Sequence, residues 1–194
     1  YKLYIQMRIN KLATNWIACS KEAGNWMFGS SIMEKKGIIL NNGIAVKKYI
    51  FSEEKRQKMK IKHNMLNNHV ILHVGAFNRA KNQAFLVQIF GEIRKFDEFA
   101  KLIMIGTGEN KEKVKAMVSS MGLVKDVLFI DESNCIENYM QLADLFILPS
   151  TFEGLGIVNI EAQAAGLKCL VSDVVPKEAE ITDLVEFISI SEQP

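Results

Sequence analysis

Leu145-Phe146-Ile147-Leu148-Pro149-Ser150-Thr151-Phe152-Glu153-Gly154-Leu155-Gly156-Ile157-Val158-Asn159-Ile160-Glu161-Ala162 is the stretch on which the reading of this sequence turns. An apolar run suits a buried strand, a loop of small residues follows, and the segment after it suits a helix. Two glycines in such a loop let backbone N–H groups approach a ligand closely. The helix start adds unsatisfied donors and a positive dipole end, so Gly154, Leu155, Gly156, Ile157 and Val158 form a cradle suited to a phosphate. Glu153 falls in the loop and Glu161 about one turn inside the helix, so the two bracket the cradle rather than pair with each other. A carboxylate there can accept charge-assisted hydrogen bonds from adjacent hydroxyls of a sugar or ribose. Taken as spacing alone, each is equally an ordinary acidic residue beside or within a helix.

The same alternation extends outward from residue 70 onward. Strands are predicted at Val70–Ala76, Leu102–Gly106, Val127–Ile130, Leu145–Leu148, Lys168–Ser172 and Val185–Ile188. Between them, Gln83–Lys95 places Phe85, Leu86, Ile89, Phe90 and Ile93 on one helical stripe, and Val114, Met117, Val118 and Met121 form the next, both read as core. Right-handed crossovers then put helices on both faces of an α/β, Rossmann-like, doubly wound parallel sheet, whose ligands bind beyond the carboxyl ends of the strands.

Two more loops stand at that end. His73-Val74-Gly75-Ala76-Phe77-Asn78-Arg79-Ala80-Lys81-Asn82 carries positive charge after the first strand; Lys81 can meet a diphosphate as a point charge and Arg79 in bidentate fashion, while His73, inside the strand, reads as structural. Gly106-Thr107-Gly108-Glu109 also closes a strand. A dinucleotide fingerprint would want a further glycine at position 111, where this chain has Lys111, so a dehydrogenase is disfavoured. There is no GxxxxGK[ST] loop, HExxH or nucleophile elbow, and His63, His69 and His73 have no ligand spacing.

Residues 1–69 are less regular. Thr14–Cys19 suits a buried strand, Ser20 a helix cap for a segment through Phe28, and Gly37–Leu40 a short strand entering Asn41-Asn42-Gly43. Residues 53–69 read as an exposed helix and loop, with the basic run from Lys55 to Lys62 as a solvated face.

With 48% hydrophobic residues the chain can bury a substantial core, and a net charge of +2 gives no field that would select nucleic acid. Cys19, Cys135 and Cys169 lack metal or disulfide spacing, which points to a reducing compartment and no metal site. No apolar run approaches the roughly 20 residues that cross a bilayer. The start at Tyr1 and the stop at Pro194, just past a strand, suggest that both ends are cuts in a longer polypeptide.

Read in order, Gly75-x-Phe77 with Lys81-Asn82, Ile105-Gly106-Thr107-Gly108, Ala143-Asp144, Leu148-Pro149-Ser150 and the pair Glu153 and Glu161 resemble the carboxy-terminal domain of the retaining glycosyltransferase family 4, of two-domain GT-B architecture. Glu161-Ala162-Gln163-Ala164-Ala165-Gly166 and Lys81-Asn82-Gln83 are most similar to bacterial enzymes of capsular or exopolysaccharide synthesis. Residues 12–44 resemble the passage from acceptor to donor domain. Two positions depart from the family: Ala76 stands where arginine usually follows the first-strand glycine, and Ala45 where an acidic residue usually follows Asn-Gly-Ile.

The resemblance implies that Lys81 meets the donor diphosphate, Glu153 the transferred sugar and Glu161 the nucleotide ribose, with Gly75, Gly106, Gly108 and the 154–158 backbone around them and Arg79 standing in for the missing arginine. It implies residues 1–45 as acceptor-domain remnant and linker, and 46–194 as a nucleotide-sugar-binding domain truncated at its C-terminus. The activity implied is retaining hexosyl transfer from a UDP-sugar to a glycan or lipid-linked glycan. No cofactor or metal is demanded. The whole enzyme would be cytoplasmic at the inner membrane face, with peripheral membrane contact, and the isolated fragment inactive. A non-catalytic nucleotide-sugar-binding or assembly module, or a GT-B epimerase, are the alternatives.

Overall fold

The computed structural model describes residues 2–190; Tyr1 and residues 191–194 lie outside the described residues, and with them the expectation of a cut at either end. The elements run α1 (Lys2–Leu12), β1 (Trp16–Ala18), α2 (Lys21–Phe28), α3 (Ser30–Lys36), β2 (Gly37–Ile39), α4 (Val46–Tyr49) and α5 (Glu53–Lys62). They continue as β3 (His69–Val74), α6 (Gln83–Phe96), β4 (Ala100–Ile105), α7 (Lys111–Ser120), β5 (Val127–Ile130), α8 (Ile136–Leu142) and β6 (Leu145–Leu148). The last are α9 (Ile157–Ala164), β7 (Lys168–Ser172), a 3₁₀ turn (Lys177–Ala179) and β8 (Val185–Ile188).

Strands β3 to β8 form one parallel sheet in the order β5-β4-β3-β6-β7-β8. The first strand sits in the middle, the chain winds outward one way through β4 and β5, then returns to wind the other way. The order therefore reverses between β3 and β6, and at such a switch point the two flanking loops diverge and open a crevice.

Side chains alternate across the sheet and build a core on each face. Leu72, Ile103, Phe146, Leu148 and Val171 pack with Met140, Ile160 and Ala162, while Ile71, Leu102, Met104 and Ile147 pack with Leu86, Val87, Phe90, Val114 and Val118. The α6 stripe is rotated from the predicted one: Leu86, Val87 and Phe90 are buried, and Phe85, Ile89 and Ile93 lie at the margin. Met121 follows the end of α7 and is 40% exposed, because the helix stops at Ser120.

His73 is fully buried, and its Nδ1–H donates to the Ile147 carbonyl (2.9 Å). Its Nε2 has no partner among the described residues, so the structural histidine is only half satisfied. Burial holds the imidazole neutral and pushes its pKa down to about 4, with the Lys81 charge adding to the effect and the Ile147 bond opposing it. Below pH 6.5 the unfolded chain gains a proton that the fold refuses, so this stability is complete above 6.5 and is lost as pH falls towards 4. Between pH 7.5 and 5 the loss is about 2 kcal/mol. Denaturant unfolding at the two pH values should show this dependence, and His73→Gln should lack it; equal dependence in both proteins refutes a neutral His73.

In the first segment, β1 and β2 form a separate two-stranded parallel sheet. Ile17 was expected in a buried strand, yet it is 50% exposed because β1 has a single neighbour among the described residues. Ser20 caps α2, its hydroxyl accepting from Ala23 N–H (3.0 Å). The basic run is likewise not simply a solvated face. Arg56 donates to the carbonyls of Gln141 (3.2 Å) and Ala143 (2.8 Å) at the end of α8, where a cation complements the helix dipole, and it pairs with Asp144. Lys60 is buried and reaches the Asn68 carbonyl (2.9 Å) and Asp144 (3.4 Å). Burial alone would raise the Asp144 pKa, but the Val70 N–H and these two cations hold it below the usual range. Among the described residues no helix is long and apolar enough to cross a membrane.

Candidate active site

The loops after β3 and β6 flank the switch point, and they are clamped together. Thr151 N–H donates to the Ala80 carbonyl (2.7 Å), and the Lys81 ammonium bonds Glu153 Oε1 across the gap. Lys81 is placed by Asn78, whose Oδ1 accepts from its backbone N–H (3.0 Å), and its aliphatic stem lies over Gly75; a Cβ there would sit 3.2 Å from the Lys81 chain. Asn82, in the left-handed conformation (φ 55°), then turns the chain into α6.

Glu153 is 9% exposed and is fixed by more than the lysine. The Ser150 hydroxyl donates to the same oxygen (2.7 Å), and the Ser172 hydroxyl donates to the Ser150 carbonyl (2.6 Å). A nearly buried carboxylate thus has one oxygen tied to a cation and a hydroxyl. Beyond it Gly156, with φ 75°, makes the turn into α9, and no side chain caps the start of that helix. In the first turn of α9 Asn159 N–H donates to the Gly156 carbonyl (2.8 Å), while the amides of Ile157 and Val158 bond no described residue. The side chains of Leu155 and Val158 are buried, so only their backbone can face a ligand there.

A cleft of about 370 Å³ opens at the ends of β3, β4 and β5, lined by Gly75, Ala76, Gly106, Thr107, the 131–134 loop and Ile136, and Gly75, under the Lys81 stem, connects it to the pair. Its floor depends on glycine. Gly106 has φ 148°, and a Cβ there would lie 2.9 Å from the Gly75 carbonyl carbon and closer still to its oxygen. Gly108, with φ 147°, would meet Phe77 N at 2.7 Å. The loops after β3 and β4 consequently run in contact, joined by Phe77 N–H to the Thr107 carbonyl (2.7 Å). Position 111, where a dinucleotide site would want glycine, instead carries a buried lysine. Lys111 Nζ donates to the Gly106 carbonyl (2.7 Å) and to Asp131 (2.7 Å), bracing the ends of β4 and β5.

The structure brings Lys81 and Glu153 together and puts Gly75 and Gly106 in the cleft wall. Glu161 does not pair with Glu153; its Oε1 accepts the hydroxyl of Tyr49 (2.7 Å). Arg79 is exposed and lines a separate depression between α6 and α7 with Asn78, Asn82, Asn110 and Lys113. Sequence reasoning missed Lys111, Tyr49 and the loop from Asp131 to Ile136. Only that loop had a signal, since it follows the carboxyl end of a strand of the same parallel sheet, the edge at which such sheets bind ligands.

Counted from its own first strand, β3, the six-stranded sheet runs 3-2-1-4-5-6, which with an uncapped helix start and an ammonium–carboxylate pair at the reversal defines a Rossmann-like α/β domain. Residues 52–186 match the family described as glycosyl transferases group 1, and the chain belongs to that family. It is similar to EpsF of Bacillus subtilis (strain 168), which is named as a glycosyltransferase, with 31% identity over 183 residues covering 93% of this chain and 48% of EpsF. It is also similar to the UDP-Gal:alpha-D-GlcNAc-diphosphoundecaprenol alpha-1,3-galactosyltransferase of Escherichia coli, with 31% identity covering 70% of this chain and 36% of that protein. The crystal structure of Anabaena Alr3699/HepE in complex with UDP-glucose shares the fold, with a TM-score of 0.86 at 18% identity, over 98% of this chain and 55% of that one. The fold is that found in GT-B glycosyltransferases. The chain spans about half the length of EpsF and about a third of the galactosyltransferase.

Proposed function

We propose that this chain is the donor-binding part of a retaining, family 4 hexosyltransferase that moves a sugar from a UDP-sugar to a glycan or lipid-linked glycan in surface polysaccharide synthesis. The observation that carries the reading is the meeting of Lys81 and Glu153 across the switch point, beside the open amides of α9. On donor binding the Lys81 ammonium turns to the diphosphate, and Glu153 accepts a hydroxyl of the sugar. The bond from the anomeric carbon to the diphosphate breaks, the acceptor oxygen bonds that carbon on the same face, and its proton leaves with the nucleoside diphosphate. The leaving charge is stabilised by Lys81 and the helix-terminal amides, in positions fixed before the reaction. No protein nucleophile is required. Gly75, Gly106 and the cleft beside them take the nucleotide, Gly108 shapes the adjoining loop, and Glu161 meets the ribose.

The bound UDP-glucose in the Anabaena structure and the UDP-Gal in the name of the Escherichia coli relative support the choice of donor. The diphosphoundecaprenol in that name supports a lipid-linked acceptor, which would bring the whole enzyme, a cytoplasmic protein, to the inner face of the membrane. Residues 1–45 are then the end of the acceptor domain and its linker, and 46–194 the donor domain.

Calorimetric titration of the chain with UDP, then with UDP-glucose and UDP-galactose, tests the reading. Saturable heat with UDP is expected; no heat with any of the three would identify a domain that has kept the fold without the ligand. Arg79→Ala is expected to leave UDP affinity within about twofold, because an exposed side chain outside the cleft contributes little. A larger loss would restore Arg79 as the substitute for the absent arginine at Ala76.

A further inference from the structure

Glu161 does not stand alone. The Tyr49 ring is buried in the core formed by α4, α8 and α9, and its hydroxyl donates to Glu161 Oε1 at 2.7 Å. Phenylalanine would fill the same volume without a polar atom to satisfy, so the hydroxyl matters here for the bond it makes. The main chain around it is also pinned. Gln141 Nε2 donates to the Tyr49 carbonyl (2.9 Å), and Gln141 Oε1 accepts from Ser52 N–H (2.8 Å), so α4 is tied to α8, whose first residue Ile136 lines the cleft. Burial first, and then the bond to Glu161 and the nearby Glu137 charge, push the phenol far above its ordinary value; it stays a donor at any working pH. The second oxygen of Glu161 accepts no hydrogen bond from a described residue.

We infer that Tyr49 is a positioning residue: by anchoring one oxygen of Glu161 it presents the other in a single orientation to the ribose hydroxyls of the bound nucleotide, and so sets the preference for a ribonucleotide over a deoxyribonucleotide. This rests on the donor-site reading. A carboxylate on a helix surface is free to rotate about its side-chain bonds, and ordering it at the moment of binding costs entropy. A buried, immobile donor at one oxygen meets that cost in advance, and a site built to bond a hydroxyl rejects the analogue lacking it.

The test is calorimetry with UDP and 2′-deoxy-UDP on the wild-type chain, on Tyr49→Phe, on Glu161→Gln and on the double variant, with thermal melting as a check on the fold. The wild type is expected to prefer UDP by about tenfold, the size of one hydrogen bond between a hydroxyl and a charged group. In Tyr49→Phe the preference should fall to roughly two- or threefold, chiefly through weaker UDP binding, with the analogue little changed. Glu161→Gln still accepts from Tyr49 but can turn a donor outward, and it should lose the preference; adding Tyr49→Phe to it should change nothing more. Equal weakening of both ligands in Tyr49→Phe, or a further fall in the double variant, assigns Tyr49 to packing alone and overturns the inference. A wild-type chain that binds neither ligand removes the donor-site reading itself, which is a different result.

Discussion

Lys81→Ala should weaken UDP binding by about 10- to 150-fold, the range for a lost hydrogen bond to a charged group. Among the described residues the lysine is the single cation joined to Glu153, and its stem is held over Gly75 so that the ammonium sits at the mouth between β3 and β6. Its removal does more than delete an attraction. Glu153 remains, nearly buried, with the Ser150 hydroxyl as its one partner among the described residues, and a bare carboxylate beside the diphosphate repels it. Breaking such a pair by removing one member also destabilises the fold, by about 3 kcal/mol at this depth. Glu153→Gln separates the two contributions: it keeps the cation and removes the repulsion, so UDP affinity should hold while UDP-sugar loses its additional contact. Calorimetry gives the affinities and denaturant unfolding the stability. If Lys81→Ala bound UDP as tightly as the wild type, the ammonium would have no part in holding the diphosphate.

Gly106→Ala is expected to have the largest effect on stability, about 4 kcal/mol. Two costs combine there. The backbone at φ 148° is one that side chains rarely adopt, worth about 1–3 kcal/mol, and the new methyl would press into the Gly75 carbonyl, worth a further 1–3 kcal/mol or so. The neighbour is main chain, held by Gly75 N–H to the Ile105 carbonyl (2.9 Å), so it cannot yield as a side chain would. Relief comes only by parting the loops after β3 and β4, which deforms the cleft wall. Gly43→Ala is the control: nothing lies within 4 Å of a Cβ there and φ is not positive, so the change should be neutral or slightly stabilising. Equal unfolding midpoints for the two variants would mean that the loops are not packed as described.

Much of the sheet was legible because its central strands are apolar on both faces. Val127–Ile130, Leu145–Leu148, Lys168–Ser172 and Val185–Ile188 form at the residues expected, and β3 ends at Val74, although Gly75 and Phe77 extend its bonding to the loop after β4. Lys81 and Glu153 were legible as loop charges after neighbouring strands, since the winding of the sheet sends both loops to one edge. Their direct contact was not, because periodicity fixes a face and an end but not a side-chain reach. Arg56, Lys60 and Tyr49 were hidden for a related reason. Their partners Asp144 and Glu161 lie 84 or more residues away, and nothing local distinguishes a docked basic helix from a solvated one.

The hydroxyl of Ser20 is engaged on two sides, accepting from Ala23 at the start of α2 and donating to the carbonyl of Gly154, while Trp26 from the same helix meets Phe152 with ring centroids 6.2 Å apart. The turn proposed to cup the diphosphate is therefore fastened to a helix that precedes the main sheet by some forty residues. Any swing of that helix must drag the turn along, and any ligand that stiffens the turn must restrain the swing. A ligand bound at the proposed site and a displacement of that helix would then be linked, each reporting on the other by thermodynamic reciprocity.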